Sequence, residues 1–185
     1  LRKAIGKLKG QMIDDAPGLN MSYNGAEVVL DPSKPTVIAD KFLTVRYTDG
    51  PTRTLVEYFE GFYQYTGTHY TEVLLSAVRA NLYDFLEKAK KFSCKNLVRF
   101  NPKMKGVTEV MDAVKAKTHI SSSAIAPFWS DGRDGPPPED ILVVRNGLMR
   151  MSSRDLLSHD PAFFSLNALA YDYEADAPKP VIFHK

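Results

Sequence analysis

The sequence predicts an α+β fold in which small antiparallel β pieces pack with a helical middle. Three observations predict it. Apolar residues alternate with period two around 42–65, a helical period of three to four runs through 72–91 and 104–117, and an Asn146-Gly147 step separates two short apolar runs. With 185 residues, 44% hydrophobic and 25% charged, the chain is long enough to bury a sizeable core. No apolar run approaches the roughly 20 residues that cross a bilayer, and no signal-peptide pattern opens the chain. The single cysteine, Cys94, rules out an internal disulfide framework and suits a reducing compartment.

Taken in order, residues 1–12 read as the end of an amphipathic helix, with Ile5 and Leu8 set among Lys3, Lys7 and Lys9. Pro17, Gly18, Asn24 and Gly25 make 14–25 a loop, and 26–30 is a short strand candidate before Pro32 and Pro35 break the chain. From Phe42 the period becomes two, Phe42, Thr44 and Arg46 alternating with Leu43, Val45 and Tyr47, so the first full strand is expected there. Asp49-Gly50-Pro51 turns the chain into further strands over 53–59 and 62–65, edged by Tyr58, Tyr63, Tyr65 and Tyr70.

The helical middle follows. Over 72–91 no Gly or Pro interrupts Val73, Ala77, Ala80, Leu82, Phe85, Leu86 and Ala89. Over 104–117 the pattern is Val107, Val110, Met111 and Val114, with Asn101-Pro102 as the start signal. Residues 132–138 form a Gly/Pro-rich loop with three consecutive prolines. The runs 141–144 and 148–151 flank Arg145-Asn146-Gly147 and read as a hairpin, since Asn and Gly both tolerate positive φ.

Net charge is only +2, but it is segregated. Residues 79–129 carry 10 basic side chains against 4 acidic, whereas 1–78 has a net of −1 and 130–185 a net of −3. Such a basic block is the shape expected of a surface that meets phosphates. Lys90, Lys91, Lys95, Arg99, Lys103 and Lys105 are the candidate contacts. If the helix of 72–91 runs on, Lys88 with Lys91, Lys91 with Lys95 and Lys95 with Arg99 share one face, with Phe92 and Leu97 as its apolar side. The alternative is a solvated lysine-rich helix face with no partner.

Catalytic patterns are missing from the sequence. It has no Gly-x-x-x-x-Gly-Lys-Ser/Thr, no Gly-x-Gly-x-x-Gly and no Gly-x-Ser-x-Gly. His69, His119, His159 and His184 show no metal-ligand spacing, and Ser121–Ser123 beside His119 reads as a loop run rather than a nucleophile site. Asp131, Asp134, Glu139 and Asp140 match no known ion-binding loop. Trp129 reads as a core or loop anchor, with base stacking as the alternative. No catalytic residue, cofactor or metal is therefore assigned, and the chain is expected not to be an enzyme by itself.

The last third carries a resemblance. The run 141–151 around Asn146 and Gly147, then His159-Asp160-Pro161, then Tyr171-Asp172-Tyr173 leading to Pro180, is similar to the segment just upstream of the motor in virus, phage and plasmid primase-helicases, a family that includes the poxvirus primase-helicase. Tyr63-Gln64-Tyr65-Thr66-Gly67 ahead of a long helix extends the likeness over 42–180, although 141–180 is the specific part. Tyr70 stands near a position where that family has tryptophan, and His159-Asp160-Pro161 replaces its commoner His-Ser-Pro.

The resemblance implies a non-catalytic collar or linker domain over 42–180, preceded by a helix end and linker over 1–41 and followed at 181–185 by the connection to a superfamily 3 AAA+ helicase motor. A chain that opens at Leu1 without methionine and closes at Phe183-His184-Lys185 fits a piece of a longer protein. In that setting ATP and Mg belong to the downstream motor. The partners are single-stranded or forked DNA, the protein's own helicase and primase domains, and further copies in a hexamer, at work in the host-cell cytoplasm during DNA replication. The competing expectation is a purely structural oligomerisation or linker module that touches no nucleic acid.

Overall fold

The computed structural model describes residues 28–94 and 96–177. The helix end expected over 1–12 and the loop over 14–25 lie outside the described residues. In chain order the elements are α1 (Pro35–Arg46), β1 (Thr48–Asp49), β2 (Thr52–Arg53), β3 (Leu55–Tyr58), β4 (Gly61–Tyr65), β5 (Tyr70–Val73) and α2 (Leu75–Lys88). There follow β6 (Lys90–Ser93), β7 (Asn96–Arg99), α3 (Met104–Thr118), β8 (Phe128–Trp129), β9 (Ile141–Val144), β10 (Gly147–Arg150), β11 (Leu156–Leu157) and β12 (Phe163–Phe164). Every strand pair is antiparallel, so the fold is α+β with small antiparallel sheets around a helical middle.

The first strand expected from period two is a helix. Ile38, Ala39, Phe42 and Leu43 are buried, a spacing of three and four that gives one helical stripe, and Pro35 sits in the first turn, where its missing N–H costs nothing. The β-branched pair Thr44 and Val45 favours a strand locally. Packing decides otherwise. Phe42 lies 5.5 Å from Phe85 of α2 and 5.4 Å from Tyr47, and a strand here would place Phe42 and Leu43 on opposite faces.

The helix expected over 72–91 is shorter at both ends. Tyr70–Val73 pairs with β4, and the chain turns extended at Ala89 before β6. What remains buries Val78, Leu82, Phe85 and Leu86 on one face. In α3, Val107, Val110, Met111 and Val114 face the same core, as their spacing predicts. The three helices are pinned at their rims. Lys117 of α3 donates to Asp40 of α1 at 2.8 Å, Arg53 of β2 reaches the same carboxylate at 3.1 Å, and Arg46 pairs with Asp84.

The sheet β3–β4–β5 divides two cores by strand alternation. Leu55 and Phe62 face the helices. Val56, Tyr58 and Tyr65 face an aromatic cluster closed by Tyr70, Phe164 and Phe128. There Phe164 contacts the ring of Phe128 at 4.9 Å and that of Tyr70 at 4.8 Å. A third cluster, Ile141, Val143, Leu148 and Phe163, lies under the sheet β9–β10–β11. Trp129 packs on Phe163 at 4.9 Å and donates its indole N–H to Pro136 at 2.9 Å, so the proline loop is anchored on it.

Candidate nucleic-acid interface

The basic residues do not form a helical stripe. Lys90–Ser93 and Asn96–Arg99 make an antiparallel hairpin with Lys90 opposite Arg99, Lys91 opposite Val98, Phe92 opposite Leu97 and Ser93 opposite Asn96. Strand alternation therefore puts Lys90 and Lys91 on opposite faces, and neither shares a helical face with Lys88. The base of the hairpin is tied down. Leu30 N–H donates to Lys90 O at 2.8 Å, Lys90 N–H to Val28 O at 2.9 Å, and Phe100 N–H to Ala89 O at 2.9 Å. Beyond that base the ribbon projects, with all of β7 exposed and Phe92 at 68% exposure. Cys94 turns the tip at a φ of 47°, and Lys95 lies outside the described residues.

One face of the ribbon carries Lys90, Phe92, Leu97 and Arg99 together. Lys90 and Arg99 border a cleft that they share with Asp84, Glu87 and Lys88, so the charge there is mixed. The other face turns Lys91 toward α3, and with Lys103 and Lys105 it lines a groove of about 370 Å³ between the hairpin and the start of that helix. Phe100 and Pro102 border the groove, and the core side chains Ile38, Leu86 and Val110, almost wholly buried, close its floor. Lys91 Nζ stands 5.8 Å from the centroid of the Phe100 ring. Lys105 comes within 4.0 Å of Glu109, whereas among the described residues Lys91, Arg99 and Lys103 have no carboxylate within ion-pair distance. The first turn of α3 has no acidic residue and no side-chain cap, so its free N–H groups add to the positive field. Phe100 and Gly106, which also lines the groove, carried no sequence signal, because only the hairpin's fold-back sets them beside Lys91.

Of the residues behind the resemblance, Asn146, Gly147, His159, Tyr171, Asp172 and Tyr173 meet elsewhere, at the tip of the β9–β10 hairpin. Arg145 Nε donates to Asp172 at 2.8 Å with a second contact from its guanidinium, and this pairing holds the Asp172 carboxyl below its usual value. Asn146 binds both backbone polar groups of Tyr173. His159 Nε2 donates to Arg145 O at 3.1 Å, while its buried Nδ1 has no partner among the described residues. Pro161 O accepts the Tyr70 hydroxyl at 2.6 Å, and Tyr70 is a core residue. Tyr171 is 61% exposed, and its carbonyl accepts Arg145 N–H at 3.1 Å. Pro180 lies outside the described residues. Neither Asn146 nor Gly147 adopts a positive φ. The two-residue turn is Arg145-Asn146, and Gly147 is required instead by closeness, because a Cβ there would stand 2.4 Å from Leu157 O.

A second cleft, of about 350 Å³, is bordered by His119, Arg53, Lys117 and Ser130. His119 Nδ1 lies 2.6 Å from Glu57, a buried carboxylate on β3 that sequence reasoning passed over. Ile120 N–H also donates to Glu57 O at 2.8 Å, so this pair fastens the end of α3 to the sheet. The serine run stays apart, Ser121 and Ser123 bonding each other at 2.8 Å. Asp131 and Asp140 are used separately, Asp131 with Arg133 and Asp140 with Arg150 and Ser152. Among the described residues no group of three His, Cys, Asp or Glu side chains is placed to hold a metal ion, and no helix is long and apolar enough to cross a membrane.

No protein-family model, curated protein or solved structure matches this chain.

Proposed function

We propose that the chain is a non-catalytic accessory domain of a replicative primase-helicase that contacts DNA without sequence specificity through the β6–β7 ribbon and the start of α3. The observation that carries this reading is the projecting ribbon itself. It sets the half-buried Lys90 and Lys91 and the exposed Arg99 at its base, beside Lys103 and Lys105, with Phe92 and Leu97 further out and open to solvent. Basic side chains beside exposed apolar ones are what a surface that tracks a single strand offers, and lysines supply sequence-independent phosphate contacts. In the parent the domain would sit beside a motor that uses ATP and Mg, and help it assemble into a ring.

A second reading, an assembly module without nucleic-acid contact, draws on the β9–β10 tip. There the resemblance residues are spent on fastening 171–173 to the hairpin.

Fluorescence anisotropy of a labelled single strand at several salt concentrations separates the two. Three or four phosphate contacts at about −0.7 each predict a slope of roughly −2 to −3 in log K against log salt. Replacing Lys91, Arg99 and Lys103 together by Gln should flatten that slope without unfolding the domain, because Gln keeps much of the aliphatic stem of the half-buried Lys91 and the other two are exposed charges that contribute little to stability. No binding at low salt, or an unchanged slope in the triple variant, leaves assembly as the function.

A further inference from the structure

We infer that the groove between the β6–β7 ribbon and α3 takes an unstacked base of a single strand, with the neighbouring phosphate on Lys91, Lys103 and Lys105; this rests on the nucleic-acid reading above. Two features set the groove apart from a plain basic patch. Its volume of about 370 Å³ is in the range of small-ligand sites, and it is walled by Phe100 and Pro102 over a floor of the core side chains Ile38 and Val107. Its rim is cationic, three lysines against Glu109 alone. Apolar walls beneath a cationic rim match an aromatic base joined to a phosphate. They match neither a duplex, whose bases are stacked inside, nor a neutral apolar peptide. Lys91 Nζ, 5.8 Å from the centroid of the Phe100 ring, sets a cation beside the aromatic wall, and a base entering the groove would displace it toward its own phosphate. The preference this creates is for single-stranded over double-stranded nucleic acid.

Gly106 allows a test that leaves charge untouched. It lines the groove from α3, and a Cβ built there meets nothing within 4 Å. Gly106→Leu therefore fills the groove while replacing a poor helix residue with a good one, and Gly106→Ala is the smaller control. The probes are an oligothymidylate of about 12 residues and a strand of equal length made of abasic sites, which keeps the phosphates and removes the bases. By anisotropy at low salt, the unsubstituted chain should bind the thymidylate at least about fivefold more tightly than the abasic strand. Gly106→Leu should bring thymidylate binding down to the level of its own abasic binding, erasing the preference, and Gly106→Ala should keep most of it.

Equal binding of the two strands by the unsubstituted chain overturns the inference while leaving phosphate contact intact. So does a Gly106→Leu variant that melts normally and keeps the preference. Failure of both strands to bind at low salt rejects the underlying nucleic-acid reading instead. A Gly106→Leu variant that changes the sedimentation of the free chain but not its binding assigns the groove to a second copy, which also overturns the inference.

Discussion

The side-chain amide of Asn146 pairs with the backbone of Tyr173 in both directions, Nδ2 donating to Tyr173 O at 3.0 Å and Oδ1 accepting Tyr173 N–H at 2.9 Å. The side chain thus stands in for a strand partner. With the Arg145–Asp172 pair beside it, it fixes 171–173 against the hairpin tip without a sheet. Only an amide offers a donor and an acceptor side by side, so Asn146→Ala should lose both bonds, at about 1 kcal/mol for partly solvated hydrogen bonds. Asn146→Asp should be at least as harmful, since it turns a carboxylate oxygen toward a carbonyl. Chemical denaturation of the two variants checks the order.

Gly147→Ala tests the second reason for the hairpin motif. A Cβ would meet Leu157 O at 2.4 Å and the Leu156 side chain at 2.8 Å, and a backbone carbonyl cannot rotate away as a side-chain tip can. β11 must separate from β10, at a cost of about 1–3 kcal/mol for overpacking. A midpoint unchanged from that of the unsubstituted chain would show that β11 does not pair as described.

The β3–β4 turn stores strain. Phe59 and Glu60 occupy φ of 47° and 63°, the mirror-image turn that hairpins prefer but that Asn and Gly adopt more easily. Glu60→Gly removes the Cβ conflict and should stabilise the domain by about 1 kcal/mol, the left-handed penalty outweighing the extra unfolded-state entropy. Phe59 is a poorer place to intervene, because its ring contacts Tyr58 at 4.5 Å. Thermal unfolding of Glu60→Gly should show a higher midpoint.

The pH dependence has two edges. Burial, aided by Asp160 and Asp49, pushes the Tyr65 phenol up to about 12, and burial pushes Tyr70 up as well. A raised folded-state value means that the stability is whole below the ordinary value of 10 and is lost as pH climbs from there toward 12. On the acid side, the hydrogen bond from Lys117 holds Asp40 below its ordinary 3.8. Its contribution is present above 3.8 and is lost as pH falls below it. Melting temperatures across pH should fall at both edges. Tyr65→Phe should soften the alkaline one and Asp40→Asn the acid one.

Read in sequence alone, α3 and the β9–β10 hairpin are already determined. In α3 the apolar positions Val107, Val110, Met111 and Val114 admit one period, and the runs of Ile, Val and Leu on either side of Asn146-Gly147 make a hairpin, although its turn is Arg145-Asn146 and uses no positive φ. The charge segregation and the anchoring role of Trp129 are equally legible, since composition and a lone large ring need no partner to be read. What only the tertiary structure decided are the elements whose local signal fits two states. Phe42 and Leu43 satisfy a strand or a helix, and contact with Phe85 selects the helix. Lys90 to Arg99 continues a helical pattern as readily as it forms a ribbon, and the bonds from Lys90 N–H to Val28 O and from Leu30 N–H to Lys90 O select the ribbon. Those partners lie some 40 to 60 residues away in sequence. Periodicity reports which face of a segment is apolar, but not which distant surface will cover it, and that covering contact settled both the helix of α1 and the groove beside Lys91.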